Sequence, residues 1–173
     1  MNIVLTGFMG TGKSEVGKLL AEKLGRQFFD IDEIIEKETR MKISSIFKNK
    51  GEPYFRDLET KTIKLVSLQN EAVIACGGGA VLRTENMYEL EKTGIIVCLT
   101  ATPEKIFERV KNEKHRPLLK EKNLLLNIKE ILQKREEHYK RCFVSVDTTN
   151  SSPAEVARTI LDNPQIKKRL NYK

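Results

Sequence analysis

A chain of 173 residues with 39% hydrophobic and 32% charged side chains reads as one globular domain, too apolar to be disordered and too short for two full cores. No apolar stretch approaches the ~20 residues of a membrane-crossing helix, and Met1 leads directly into an apolar run, so no anchor or targeting segment is expected and the cytoplasm is the expected location. The net charge of +7 is dispersed, with Lys and Arg alternating with Glu and Asp, which argues for small anionic ligands and against nucleic acid or a membrane surface.

The first strand is expected over Ile3–Thr6. It runs into Gly7-Phe8-Met9-Gly10-Thr11-Gly12-Lys13-Ser14, which meets the phosphate-loop pattern G-x-x-x-x-G-K-[ST] at every required position. A helix follows over Lys13–Leu24, with Val16, Leu19, Leu20 and Leu24 on one face. A triphosphate carries several charges on closely spaced oxygens. Such a loop answers with bare backbone N–H groups and the positive end of a helix. Lys13 would reach the β- and γ-phosphates and the Ser14 hydroxyl would hold Mg²⁺.

The second strand, Gln27–Phe29, ends in Asp30-Ile31-Asp32. Two carboxylates at a sheet edge could order a metal's water shell and accept a proton, or one could cap the next helix. Helices are expected over Ile31–Thr39, Ile43–Phe47 and Glu52–Leu68. Residues 31–60 are too much chain for a simple crossover and read as a substrate-binding insertion. Arg56 within them could pair with Glu59 at i+3 on an exposed face. The third strand, Ala72–Ala75, is followed by Cys76 and then Gly77-Gly78-Gly79, one glycine more than a tight turn needs.

A helix over Glu85–Lys92 precedes the fourth strand, Ile95–Leu99, and another helix spans Pro103–Val110. Residues 112–123 are polar and Pro-interrupted and read as a mobile lid or a plain surface loop, with Arg116 either solvated or closing on phosphate. In the helix Leu124–Arg141, Arg135 shares a face with Leu124, Ile128, Ile131, Leu132 and Tyr139. A guanidinium on an apolar stripe requires an anion, either an internal carboxylate or an acidic ligand. The last strand, Phe143–Val146, and the helix Pro153–Leu161 lead to a basic run, Lys167-Lys168-Arg169 through Lys173, expected to fray. The three cysteines, Cys76, Cys98 and Cys142, lack the spacing of a zinc site and are expected to be reduced.

Strands alternating with helices predict a parallel sheet covered on both faces, with the ligand beyond the carboxyl ends of the strands. Taken together, GFMGTGKS, the strand-end DID, GEPYFRDLE around Arg56, the GGG turn, HRPLL and REEHY resemble the shikimate kinase family from Asn2 to about Leu161. The resemblance implies a three-layer P-loop kinase fold, a five-stranded parallel sheet in order 2-3-1-4-5. It also implies transfer of the ATP γ-phosphoryl group to the 3-hydroxyl of shikimate, on the route to aromatic amino acids.

By the same resemblance, Gly10, Thr11, Gly12, Lys13, Ser14 and Glu15 cradle the phosphates, with Ser14 on Mg²⁺ and Asp30 supporting the metal through water. Asp32 binds the shikimate hydroxyls and is the candidate base. Arg56 and Arg135 clamp the shikimate carboxylate, helped by the N–H groups of Gly78 and Gly79. Arg116 closes over the phosphates and Arg109 stacks on adenine. The expected form is a single-domain monomer whose partners are shikimate and ATP. Cys76 stands where the family commonly has Thr, Ser or an apolar residue, and Thr148-Thr149-Asn150-Ser151-Ser152 lacks the basic residue some members carry near adenine. The chain lacks the guanine-reading N-K-x-D of a GTPase switch.

Overall fold

The computed structural model describes residues 1–111 and 123–170. Five strands, β1 (Asn2–Gly7), β2 (Phe28–Asp30), β3 (Val73–Ala75), β4 (Gly94–Thr100) and β5 (Val144–Asp147), form one sheet in the order β2-β3-β1-β4-β5. Every pairing is parallel. β1 lies at the centre and is buried along its whole length, as expected for a strand covered on both faces.

Side chains alternate across the sheet and so divide the core in two. Ile3 and Leu5 of β1, with Val97 and Leu99 of β4, face α1 (Lys13–Leu24) and α7 (Pro153–Asp162). Val4 and Ile96 face the other way, toward α2 (Ile31–Thr39), α3 (Ile43–Ser67), α4 (Thr84–Thr93), α5 (Pro103–Val110) and α6 (Leu124–Tyr139). The result is the three-layer arrangement expected from the alternating pattern.

Most helix boundaries follow local chemistry. Thr102 caps α5 through Lys105 N (3.3 Å), with Pro103 at the first position. Ser152 and Glu155 form a reciprocal capping box at α7. The two helices expected within 43–68 are the two parts of α3, separated at Gly51, whose φ of 84° interrupts the helix. The C-terminal run departs from expectation. Residues 164–170 do not fray but form α8 (Pro164–Leu170), with Ile166 fully buried and Arg169 stacked on the Phe143 ring at 4.3 Å. The start signal is Asn163 before Pro164: its side-chain oxygen accepts from Gln165 N and Ile166 N. Among the described residues, no helix is long and apolar enough to cross a membrane.

Candidate active site

β1 delivers the phosphate loop to the carboxyl edge of the sheet. A Cβ on Gly7 would lie 2.1 Å from the Leu99 carbonyl oxygen, so only glycine lets β1 turn here against β4. Beyond the turn, Lys13 folds back over the loop and donates to the carbonyls of Gly7 and Phe8, each at 2.9 Å. Thr11 Oγ1 donates to Phe8 O at 2.8 Å. The loop is therefore held in shape by its own carbonyls, with the ammonium already inside it.

Asp30 closes the end of β2 and uses both oxygens. Oδ1 accepts from Asp32 N at 3.0 Å and Glu33 N at 3.3 Å, capping α2. Oδ2 accepts from the Ser14 hydroxyl at 2.5 Å. Asp30 is thus the cap, and the same residue also reaches the phosphate loop. Asp32, freed from capping, sits in the first turn of α2 and points toward the glycine turn after β3.

In that turn each glycine makes room for a different neighbour. A Cβ on Gly77 would meet Glu59 Oε1 at 2.7 Å and Asp32 Oδ1 at 2.8 Å. One on Gly78 would meet the backbone N of Met9 at 3.1 Å, in the phosphate loop. One on Gly79 would fall 2.3 Å from Nη2 of Arg56. Arg56 is buried rather than on an exposed face. It donates to Glu59 Oε2 at 2.7 Å through Nη1 and to Glu52 Oε1 at 2.9 Å through Nη2. Burial works to lower the Arg56 pKa, but Glu59 and Glu52 outweigh it and hold it above the ordinary value. Glu59 is fully buried, which raises its pKa against the attraction of Arg56.

α6 closes the other wall. Arg135 Nη1 donates to Gly78 O at 3.4 Å, and the Tyr139 hydroxyl donates to the same oxygen at 2.6 Å. The two arginines thus converge on one glycine turn, Arg56 against Gly79 and Arg135 at Gly78. At the far end of the cleft, Arg109 joins three elements: Nη1 donates to Gly10 O and Thr148 Oγ1, each at 3.0 Å, and Nη2 to Thr148 O at 2.6 Å.

Of the ligand-binding and catalytic residues that the resemblance implies, all but Arg116 line one cleft of about 680 Å³. Arg116, with the lid assigned to residues 112–123, lies outside the described residues save for Asn123. The sequence and the fold match those of known proteins. A family model, "SKI: Shikimate kinase", matches residues 9–165. The chain belongs to the shikimate kinase family. The shikimate kinase of Thermodesulfovibrio yellowstonii is 53% identical over 92% of either chain. That of Persephonella marina is 45% identical, covering 92% of this chain and 96% of the relative. The shikimate kinase structure from Acinetobacter baumannii in complex with shikimate superposes with a TM-score of 0.91 at 35% identity, over 99% of this chain and 94% of that one. A gluconokinase from Sinorhizobium meliloti, at 22% identity and a TM-score of 0.59, shares the fold.

Beside this shikimate kinase frame, sequence reading passed over three residues. Glu59 was legible only as an exposed helical partner of Arg56, because i+3 spacing does not report burial. Tyr139 was placed on the apolar stripe of α6, where its hydroxyl has no sequence signature. Thr148 lies in the loop noted above only for lacking a basic residue, and nothing local marks it as the seat of Arg109.

Proposed function

We propose that this cleft transfers the γ-phosphoryl group of ATP to the 3-hydroxyl of shikimate, serving aromatic amino acid synthesis. The observation that carries the reading is the convergence of Arg56 and Arg135 on the Gly77–Gly79 turn, inside the cleft that also holds Lys13. A planar carboxylate suits a guanidinium fork. The long bond from Arg135 to Gly78 O is easily exchanged for a charge-assisted one, whereas Arg56 is already fixed by two carboxylates. The N–H groups of Gly78 and Gly79 add donors on the same side.

Phosphoryl transfer asks for alignment and charge neutralisation more than for covalent help. The loop Gly10–Glu15 binds the phosphates, with Lys13 at the transferring group. Asp32, beside Gly77, binds the acceptor hydroxyls, orients the attacking one and takes its proton. The adjacent Ser14 hydroxyl and Asp30 carboxylate are the hard oxygen donors Mg²⁺ takes alongside phosphate oxygens and water. Bound there with ATP, the ion supplies further neutralisation of phosphate charge. Arg109 receives the adenine face, held by Thr148 and Gly10, and Arg116 is assigned to the phosphates from sequence. The chain acts as a single-domain cytoplasmic monomer, a state that sedimentation tests directly.

The deciding experiment is a coupled ADP-release assay with Mg-ATP and a panel of acceptors. ADP should appear with shikimate and not with gluconate or nucleoside monophosphates. ADP release indifferent to any small acceptor would overturn the reading.

A further inference from the structure

Arg83 follows the glycine turn, just before α4, and reaches back to α3. Its Nη2 lies 2.8 Å from Asp57 Oδ1, and its Nη1 donates to Thr60 Oγ1 at 3.2 Å. Asp57 and Thr60 directly follow Arg56 and Glu59, so the guanidinium spans the stretch of helix that carries both. Behind Arg83 the chain is tightly held. Ala80 N donates to Gly77 O at 3.1 Å, Leu82 N to Gly79 O at 3.0 Å, and the buried Asn86 amide to Ala80 O at 3.0 Å. These bonds join the glycine turn to the start of α4. We propose that Arg83 is a positioning residue of the acceptor site, locking α3 to the glycine turn through Asp57 and Thr60 and holding Glu59 as the counter-ion of Arg56. This role rests on the proposed shikimate reading.

Glu52 and Glu59 fix the Arg56 guanidinium only relative to its own helix. Where that guanidinium stands against Gly79 depends on where α3 lies, and α3 is interrupted at Gly51, shortly before Arg56. A Cβ on Gly79 would sit 2.3 Å from Arg56 Nη2, so turn and guanidinium tolerate little relative displacement. Lys64 and Glu85, 3.3 Å apart, also tie α3 to α4, but both side chains are half exposed. Arg83 instead binds the hydroxyl of a buried threonine, and does so beside the two residues whose position matters.

Charge gives Arg83 its second effect. Glu59 is fully buried; Oε2 accepts from Arg56, while Oε1 has no hydrogen-bond partner among the described residues. The surrounding field must therefore keep this carboxylate ionised. Arg56 on α3, Arg83 and Arg135 on α6 favour the charge; burial opposes it, and Asp32 of α2 stands with Glu59 beside Gly77. Glu52 shares Arg56 with it, and burial keeps the nearby Cys76 thiol neutral. Without Arg83, Glu59 takes up its proton at a higher pH, and a neutral carboxyl is a weaker partner for Arg56.

The test compares Arg83→Met, Arg83→Lys and Asp57→Ala in the purified full chain. Loss of a partly exposed ion pair should raise the shikimate KM of Arg83→Met about three- to fivefold, with the ATP KM unchanged. Asp57 is 73% exposed, so Asp57→Ala leaves the core alone and should act in the same direction. Combining it with Arg83→Met should add little, because both remove one contact. Carbon-13 NMR of Glu-labelled protein, with Glu59 assigned through Glu59→Gln, reads the charge separately. The Glu59 carboxyl should titrate at higher pH in Arg83→Met and close to wild type in Arg83→Lys, which keeps the cation. A shikimate KM unmoved in Arg83→Met, one that rises together with the ATP KM, or fully additive effects of the two substitutions would overturn the locking of α3. Should Arg83→Met fail to fold, an unmoved shikimate KM in Asp57→Ala overturns it equally. A Glu59 titration indifferent to loss of the Arg83 charge would overturn the counter-ion role. If wild type releases no shikimate-dependent ADP, the functional reading has failed, while the Glu59 titration still decides whether Arg83 governs that carboxylate.

Discussion

Tyr139 and Arg135 share one acceptor, the carbonyl oxygen of Gly78, and their bonds to it differ. At 2.6 Å the phenol is the permanent tether, and at 3.4 Å the guanidinium is available to a ligand. Tyr139→Phe should leave ATP binding alone and raise the shikimate KM several-fold, since about 1 kcal/mol of hydrogen bonding no longer fixes the turn. Arg135→Ala should cost shikimate binding about 2–5 kcal/mol, as for loss of a desolvated charge partner. Calorimetry with shikimate reads both. Burial pushes the Tyr139 phenol up to about 12, against the field of Arg135, from an ordinary value of 10. Between those values the unfolded chain releases the proton and the folded chain retains it. The contribution is therefore complete below pH 10 and lost as pH rises through 12. Wild type should lose about 3 kcal/mol more stability than Tyr139→Phe over that interval, by denaturant titration at successive pH values.

At the scale of elements, the Gly77–Gly79 turn gives each of its glycines a separate consequence. Gly77→Ala would press a methyl onto the carboxylate ends of Glu59 and Asp32. Those ends can move, so the melting temperature should change little, while displacement of the candidate base by about 1 Å lowers kcat by up to about a hundredfold. Gly79→Ala drives the guanidinium of Arg56 away and leaves the buried Glu59 without its main partner, so both shikimate affinity and thermal stability should fall. Steady-state kinetics beside thermal melts distinguish the two variants. That a third glycine was informative could be read from the sequence; which neighbour each glycine admits could not, because Asp32, Met9 and Arg56 are brought there by other elements. Helices with a local signature were legible to the residue, as with Lys13–Leu24, Ile31–Thr39 and Pro103–Val110. α8 was obscured because its basic surface outweighed the Asn163-Pro164 start and the single buried Ile166.

Across the whole molecule, the phosphate loop is where the two core layers meet: it leaves the central strand, crosses to α1 on one face, and contacts the glycine turn and Arg109 on the other. The fold was readable because a buried parallel sheet writes itself as recurrent apolar runs, whereas the ties across the cleft, such as Arg109 to Gly10 and Thr148, join positions up to 99 residues apart. A ligand seated at that junction bears on both layers at once, so nucleotide binding should stabilise the entire domain and not one lobe. A non-hydrolysable ATP analogue with Mg²⁺ at a hundred times its Kd should add about 2.7 kcal/mol, which for a chain of this size corresponds to a Tm rise of about 5–10 °C in a single transition. Lys13→Ala removes the ammonium now held at Gly7 O and Phe8 O and with it the cation facing the γ-phosphate. That variant should fold, show no turnover, and lose most of the Tm rise at the same analogue concentration, in differential scanning calorimetry. An undiminished rise in Lys13→Ala would place the triphosphate elsewhere than this loop.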